Sequence, residues 1–197
     1  MEIVLASIIA FASTNIDDLF ILTLFFGDKR YKSSDVFIGQ YLGIIVLIGI
    51  SVAGSLLGNF VDAQFVGLLG LFPIYLGLKQ IVQLIKHRNR DETLQQKELK
   101  TANAGILPVA TITFANGGDN IAIYIPLFAT LTTTEKSIMI TIFLVMVLVW
   151  LTVAKYLTRY PALSNILSKY GHIITPIVLC LLGLFILKEN STFNLLK

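Results

Sequence analysis

Two short polar stretches interrupt an otherwise apolar sequence, and both carry acidic side chains. Six side chains in these stretches have the chemistry to bind a cation: Asn15, Asp17, Asp18, Asn116, Asp119 and Asn120. Carboxylate and amide oxygens are ligands that divalent cations accept in proteins. The sequence therefore predicts one metal-binding or substrate-binding site built from both stretches. Supporting roles are expected for the neighbouring small residues Ser13, Thr14, Gly117 and Gly118.

Each polar stretch lies about halfway along a segment that is long enough to cross a membrane, for which about 20 mostly apolar residues are needed. Six such segments are predicted, at residues 3–26, 36–60, 65–85, 105–131, 138–156 and 172–187. The composition agrees, because 55% of the residues are hydrophobic and only 14% are charged, against roughly 25% charged in a soluble domain. We therefore predict an all-α membrane protein with six transmembrane helices.

The basic residues predict how these helices are oriented. Twelve of the 15 Lys and Arg residues flank the first, third and fifth connections between predicted helices. The positive-inside rule puts those connections in the cytoplasm and both termini outside. The polar stretch 87–103 then becomes a cytoplasmic linker between a first unit, 1–86, and a second unit, 104–197. Its charges are interpreted as a solvated face, with no nucleic-acid partner expected.

The two units match each other at two landmarks. Asp17 aligns with Asp119 at an offset of 102 residues, and Pro73 aligns with Pro176 at an offset of 103. Because each unit holds three helices, the units must cross the membrane in opposite directions. Inverted three-helix repeats are typical of secondary transporters, whose substrate site lies at the midplane. Pro73 and Pro176 are candidate hinges, with tolerated helix kinks as the alternative.

The three acids at mid-depth have no basic partner in the sequence pattern. An Asp at the centre of a membrane helix costs about 2.5 to 3.5 kcal/mol on insertion scales. No Lys or Arg is predicted near the depth of Asp17, Asp18 or Asp119. Hydrogen bonds between helices, worth about 0.6 kcal/mol each on average, do not account for three buried acids. Protons or a bound cation must therefore neutralise them.

The glycines predict local features of the helices. Gly117 and Gly118 indicate a break in the fourth helix, and Gly39 and Gly43 indicate close packing of the second helix on a neighbour. The first helix is expected to run on through Asp18, which would put Asn15 on the same helix face. Cys180, the one cysteine, is interpreted as a small apolar residue, with metal ligation as the lesser alternative.

Common enzyme signatures are missing from the sequence: the Walker loop, HExxH and GxSxG. We therefore predict no enzyme and no resident cofactor. A family resemblance rests on four features: the acids near Asp17, the stretch 114–120, the segment 70–77 and the chain length. In these features the sequence resembles the bacterial cadmium-resistance transporter family (CadD type) of the lysine-exporter superfamily. This resemblance implies export of cadmium, with zinc as a second substrate, across a bacterial plasma membrane. It also implies metal handling by Asp17, Asp18, Asp119 and Asn120.

Expelling a divalent cation from a cell that is negative inside costs about 4.6 kcal/mol per 100 mV of potential. We therefore expect antiport with protons, which would bind the same carboxylates as the metal leaves. Three alternatives stay open: export of a cationic organic solute such as a basic amino acid or a quaternary amine, export of manganese or another divalent cation, and a membrane sensor without flux. The expected partners are the lipid bilayer, the metal ion and protons. The glycine-rich faces also permit a homodimer.

Overall fold

The computed structural model describes residues 2–56, 68, 70–86, 104–160, 176–177, 179–184 and 186–188. Within these ranges the chain is helical, without strands. The helices are α1 (Glu2–Thr14), α2 (Asp18–Gly27), α3 (Ser33–Leu56), α4 (Leu71–Lys86), α5 (Ile106–Asn116), α6 (Gly118–Thr130) and α7 (Thr133–Leu157). The described residues of 176–188 are also helical and are called the C-terminal segment below. The predicted linker 87–103 lies outside the described residues.

Many apolar side chains of the described helices are exposed, and several polar side chains are buried beside the apolar core. α3 and α7 are each long and apolar enough to cross a membrane, and a third crossing results if α1 and α2 count as one bent span. The exposed side chains of α1, α3 and α7 include Val4, Leu5, Ile8, Ile38, Leu42, Ile45, Val145, Leu148 and Val153. The buried polar side chains include Thr14, Asn15, Asp18, Gln40, Ser51, Thr113, Asp119 and Asn120. The described part of the chain is thus all-helical with two or three candidate membrane spans, while the arrangement of six spans in inverted repeats stays a prediction.

The first predicted segment is two helices instead of one. α1 ends at Thr14 and α2 begins at Asp18, with a bend of 62° between them. The expectation of a continuous helix is wrong because three successive side chains compete for the carbonyls of the last turn of α1. Ser13 Oγ and Thr14 Oγ1 each donate to a backbone oxygen at 3.0 Å, and Asn15 Nδ2 donates to another at 2.8 Å. Such local bonds favour helix ends, and Asn15 consequently shares no helix face with Asp18.

The second break is the one that the glycine pair predicts. α5 ends at Asn116 and α6 begins at Gly118, with Gly117 between them. Gly117 lies directly against the side chain of Leu47 from α3, and a β-carbon at this position would collide with it. The glycine thus allows a close approach between the break and α3, since a larger residue would displace the Leu47 side chain.

Each broken helix packs against the long helix of the other half of the chain. α5 and α6 lie on α3, whereas α1 and α2 lie on α7. The close packing predicted for Gly39 and Gly43 is confirmed. A β-carbon built on Gly39 would lie 2.5 Å from Val109 Cβ, and one built on Gly43 would lie 2.6 Å from Thr113 Cβ. Glycine thus lets α3 and α5 approach almost to backbone contact.

The two candidate hinge prolines lie in helices that cross each other. Pro73 is buried in the first turn of α4, where the missing N–H of a proline is not needed. Pro176 is buried in the C-terminal segment, and its backbone oxygen lies 2.6 Å from the β-carbon position of Gly77 in α4. A hinge role for either proline stays a prediction.

Candidate functional site

A cavity of about 380 Å³ lies beside the two helix breaks. It is lined by Asp17, Phe72, Leu76, Gln80, Ala115, Asn116, Gly118 and Asp119. Both carboxylates of this lining stand at the beginning of a helix, since Asp17 directly precedes α2 and Asp119 is the second residue of α6. A helix N-terminus stabilises a nearby negative charge by about 0.3 to 1 kcal/mol. The two breaks therefore bring two carboxylates, each at a helix N-terminus, to one cavity.

Asp18 is buried and held by two amides. Asn116 Nδ2 donates to Asp18 Oδ1 at 2.7 Å, and Gln40 Nε2 donates to Asp18 Oδ2 at 3.1 Å. The hydroxyl of Thr113 donates to the amide oxygen of Gln40, which fixes that amide with its N–H group toward the acid. Asp18 thereby joins α2 to α3 and α5. It does not line the cavity itself, although Asn116 does.

The amides of Asn15 and Asn120 bond to each other across the two breaks. Asn15 Nδ2 donates to Asn120 Oδ1 at 3.3 Å, and Asn120 Nδ2 donates to Asn15 Oδ1 at 3.2 Å. Tyr124 OH lies 3.0 Å from Asn15 Nδ2 and 3.1 Å from Thr14 Oγ1. Trp150 Nε1 donates to the backbone oxygen of Asn15 at 2.6 Å, a carbonyl positioned at the end of α1. These groups connect the breaks and do not line the cavity.

Aromatic rings cover this amide pair from α1, α6 and α7. The rings of Tyr124 and Phe143 lie 4.5 Å apart, and those of Phe11 and Phe143 lie 5.6 Å apart. Trp150 meets Phe11 edge-on at 5.5 Å. Phe11, Tyr124 and Phe143 have no exposed surface. The two breaks are therefore bounded by a buried aromatic layer as well as by the cavity.

Asp17, Asp18 and Asp119 form an acidic cluster. In the described ranges neither Asp18 nor Asp119 is paired with a Lys or Arg, and the ion pair found there, Arg30 with Asp28, lies in the turn after α2. Asp17 and Asp18 are close enough to Asp119 to repel its charge. Among the same residues, no three His, Cys, Asp or Glu side chains are arranged to hold a metal ion. The cluster can attract a cation, but it is not a closed coordination cage.

The structure separates the predicted site residues into two groups. Those that line the cavity are Asp17, Asn116, Gly118 and Asp119, and those that bond around the breaks are Ser13, Thr14, Asn15, Asp18 and Asn120. Gly117 packs on α3 instead. The sequence analysis missed Gln40 and Gln80, and the sequence did not decide whether Tyr124 and Trp150 line a pathway or fill helix contacts. A glutamine inside an apolar helix was a signal that could have found the first two.

Cys180 lies against α4 and does not line the cavity. Its Sγ is 3.9 Å from the carbonyl oxygen of Ile74 and 2.6 Å from the β-carbon position of Gly77. The cavity is lined from α4 by other residues, Phe72, Leu76 and Gln80. Cys180 is thus in a position to pack at a helix crossing.

For the cadmium transport that the sequence resemblance implies, we expect Cys180→Ala to keep the rate within about twofold of wild type, because a partly buried cysteine at a helix crossing acts as a small apolar residue. The measurement is the initial rate of cadmium uptake into everted membrane vesicles at matched protein level. Cys180→Ser, which keeps the size but not the thiol, serves as the paired variant. Loss of uptake in both variants would show that the thiol binds the ion during transport.

The fold and the cavity together define a helical membrane protein with an acidic interior. A family model described as Cad, cadmium resistance transporter, matches residues 11–197. The chain therefore belongs to the cadmium resistance transporter family, and the family resemblance inferred from the sequence is confirmed. The match includes both helix breaks and every residue of the cavity lining. No curated protein and no solved structure matches the chain.

Proposed function

We propose that this protein exports a divalent cation, with cadmium as its main substrate, from the cytoplasm in exchange for protons. The observation that carries the proposal is the pair of carboxylates, Asp17 and Asp119, that two separate helix breaks contribute to one cavity. Two carboxylates balance the charge of one dication, and Asn116 adds an amide group. Membership of the cadmium resistance transporter family supports cadmium as the ion.

The size of the cavity supports a cation that keeps much of its water. One water molecule takes about 30 Å³ of liquid volume, and a hard dication takes about six oxygen ligands. A volume of about 380 Å³ therefore accommodates an ion with its hydration shell. Soft ions prefer thiolate ligands, so oxygen ligands hold cadmium weakly. Weak binding suits a transporter, which must release the ion on the other side.

The correspondence between the two halves supports alternating access by inverted repeats. Trp150 of α7 bonds to the break at Asn15, and Leu47 of α3 packs on the break at Gly117. The numbers of Leu47 and Trp150 differ by 103, and those of Asn15 and Gly117 differ by 102, as in the repeat predicted from the sequence. Each half thus covers the break of the other. Rocking of one half against the other would open the site to the two sides in turn.

The predicted orientation makes this conformation one that faces the cytoplasm. With both termini outside, α1 and α6 extend from their breaks toward the outer surface. The aromatic layer of Phe11, Tyr124 and Phe143 then lies between the breaks and the outside. Gln80, by contrast, lies toward the cytoplasmic end of α4. We therefore interpret the cavity as the route by which the ion enters from the cell.

Everted membrane vesicles from cells that express the protein provide the test, with radiolabelled cadmium outside and a respiration-driven acidic lumen inside. We expect cadmium accumulation about tenfold above vector vesicles, equivalent to about 1.4 kcal/mol of driving force, because export from the cell corresponds to uptake into these vesicles. Nigericin and valinomycin, which together remove the pH gradient and the membrane potential, should abolish it. Zinc, manganese and lysine are supplied as competitors to rank the substrates.

Each outcome addresses one part of the proposal. Accumulation no higher than in vector vesicles would overturn metal export. Accumulation that persists when nigericin and valinomycin together remove the pH gradient and the membrane potential would overturn proton exchange and leave metal export standing. Inhibition by lysine but not by zinc or manganese would favour the organic-cation alternative.

A further inference from the structure

α4 presents two different faces to the rest of the protein. Pro73 and Gly77 are buried, and Gly77 packs against the C-terminal segment. Phe72, Leu76 and Gln80 line the cavity, and their spacing of four residues puts them on one stripe of the helix. This stripe extends about 12 Å along the helix axis, at 1.5 Å per residue. α4 therefore forms one continuous wall of the cavity, and the last residue of this wall, Gln80, is polar.

Gln80 is the one polar side chain that α4 contributes to the cavity lining. It is partly exposed to that space, and it makes no hydrogen bond to another residue within the ranges that the structure describes. Gln40, the buried glutamine of α3, differs in this respect because both ends of its amide are bonded, to Asp18 and to Thr113. The amide of Gln80 is thus available to whatever occupies the cavity.

We propose that Gln80 is a further ligand of the transported cation and contributes its amide oxygen from α4 to the cavity lined by Asp17 and Asp119. This inference rests on the proposed function, because it names a residue that determines affinity at the same site. The carboxylates already balance two positive charges, so a neutral ligand adds an oxygen without making the ion harder to release. A third carboxylate at this position would bind the ion more tightly and release it more slowly.

The test compares Gln80→Leu and Gln80→Glu in the everted-vesicle assay, with KM and maximal rate determined separately. We expect Gln80→Leu to raise the KM for cadmium about tenfold through the loss of one ligand, with little change in maximal rate. Gln80→Glu should lower both KM and maximal rate. Tyr75→Phe is the matched control, because Tyr75 lies on the same helix and outside the cavity lining. It should behave as wild type.

A second readout does not depend on transport. Cadmium binding to the detergent-solubilised protein is measured by calorimetry, and Gln80→Leu should weaken it by the same factor as its KM rises. If Gln80→Leu fails to fold, the KM and the cadmium affinity of the isosteric Gln80→Glu variant alone test whether Gln80 is a ligand. Unchanged KM and binding in the folded variants would overturn the role of Gln80 while wild-type transport still stands. Absence of wild-type transport would instead overturn the proposed function.

Discussion

Asp119→Asn is expected to abolish cadmium transport and to weaken cadmium binding about 100-fold, or about 2.7 kcal/mol. The reason is electrostatic. Two unit charges 4 Å apart interact by about 4 kcal/mol at an effective dielectric constant of 20, and the variant removes one of the two carboxylates that line the cavity. Asparagine has the same shape and still accepts the bond that Asp119 Oδ1 receives from the backbone N–H of Asn120, at 3.0 Å. The charge is therefore removed with little change of structure.

Binding is measured by calorimetry and by the fluorescence of Trp150, the single tryptophan of the chain. Its indole donates to the backbone of Asn15 at the first break, so its emission reports on movement there. Asp35→Asn is the matched control, because Asp35 lies in the first turn of α3 and outside the cavity lining. Binding of cadmium by Asp119→Asn as tight as by Asp35→Asn would exclude Asp119 as a ligand.

The sequence was sufficient to single out the acids as candidate site residues, because acids in an apolar helix are costly and therefore conspicuous. Asp17 and Asp119 were found in this way, and the structure brings both to one cavity. The break at Gly117 was also predictable, since a glycine pair weakens a helix whatever surrounds it. Features that depend on a single residue type, such as a glycine pair or a buried acid, could therefore be predicted from the local sequence.

The remaining features depend on partners that only the fold brings together. The break after α1 results from three side chains, Ser13, Thr14 and Asn15, that bond back to the preceding turn, and each of them is also found inside helices. Asn15 and Asn120 were predicted to bind the substrate, but their amides bond reciprocally because the two breaks meet face to face. An asparagine looks the same in a sequence whether its side chain binds an ion or another amide. The sequence alone therefore could not show that these two amides bond to each other.

The hydrogen bonds of Asp18 explain why the packing of α3 on α5 matters for the site. Asp18 depends on donors from α5 and α3, namely Asn116 and Gln40. The distance between those helices is determined by the glycines of α3, which face Val109 and Thr113 of α5. A change that separates the two helices would therefore move both donors relative to the acid. Packing and chemistry are coupled at this contact.

Gly39→Ala is accordingly expected to destabilise the protein and to impair transport. The added β-carbon would lie 2.5 Å from Val109 Cβ and 2.7 Å from the backbone oxygen of Ile106, so α3 and α5 must move apart. Overpacking of this kind costs about 1 to 3 kcal/mol, which over most of that range exceeds the gain of about 1 kcal/mol from replacing a helical glycine by alanine. Thermal unfolding in detergent, followed by circular dichroism, measures the loss, and vesicle uptake measures the effect on the site.

Gly49→Ala is the matched control on the same helix, because a β-carbon at Gly49 meets nothing within 4 Å. It gains helix propensity without a collision, so its unfolding temperature should be equal to or above that of wild type, and uptake should be unchanged. The difference between the two variants isolates the contact of α3 with α5 from the general effect of alanine in a helix. If both variants unfold at the same temperature and transport equally well, the close approach of these helices does not control the position of Asp18 and its donors.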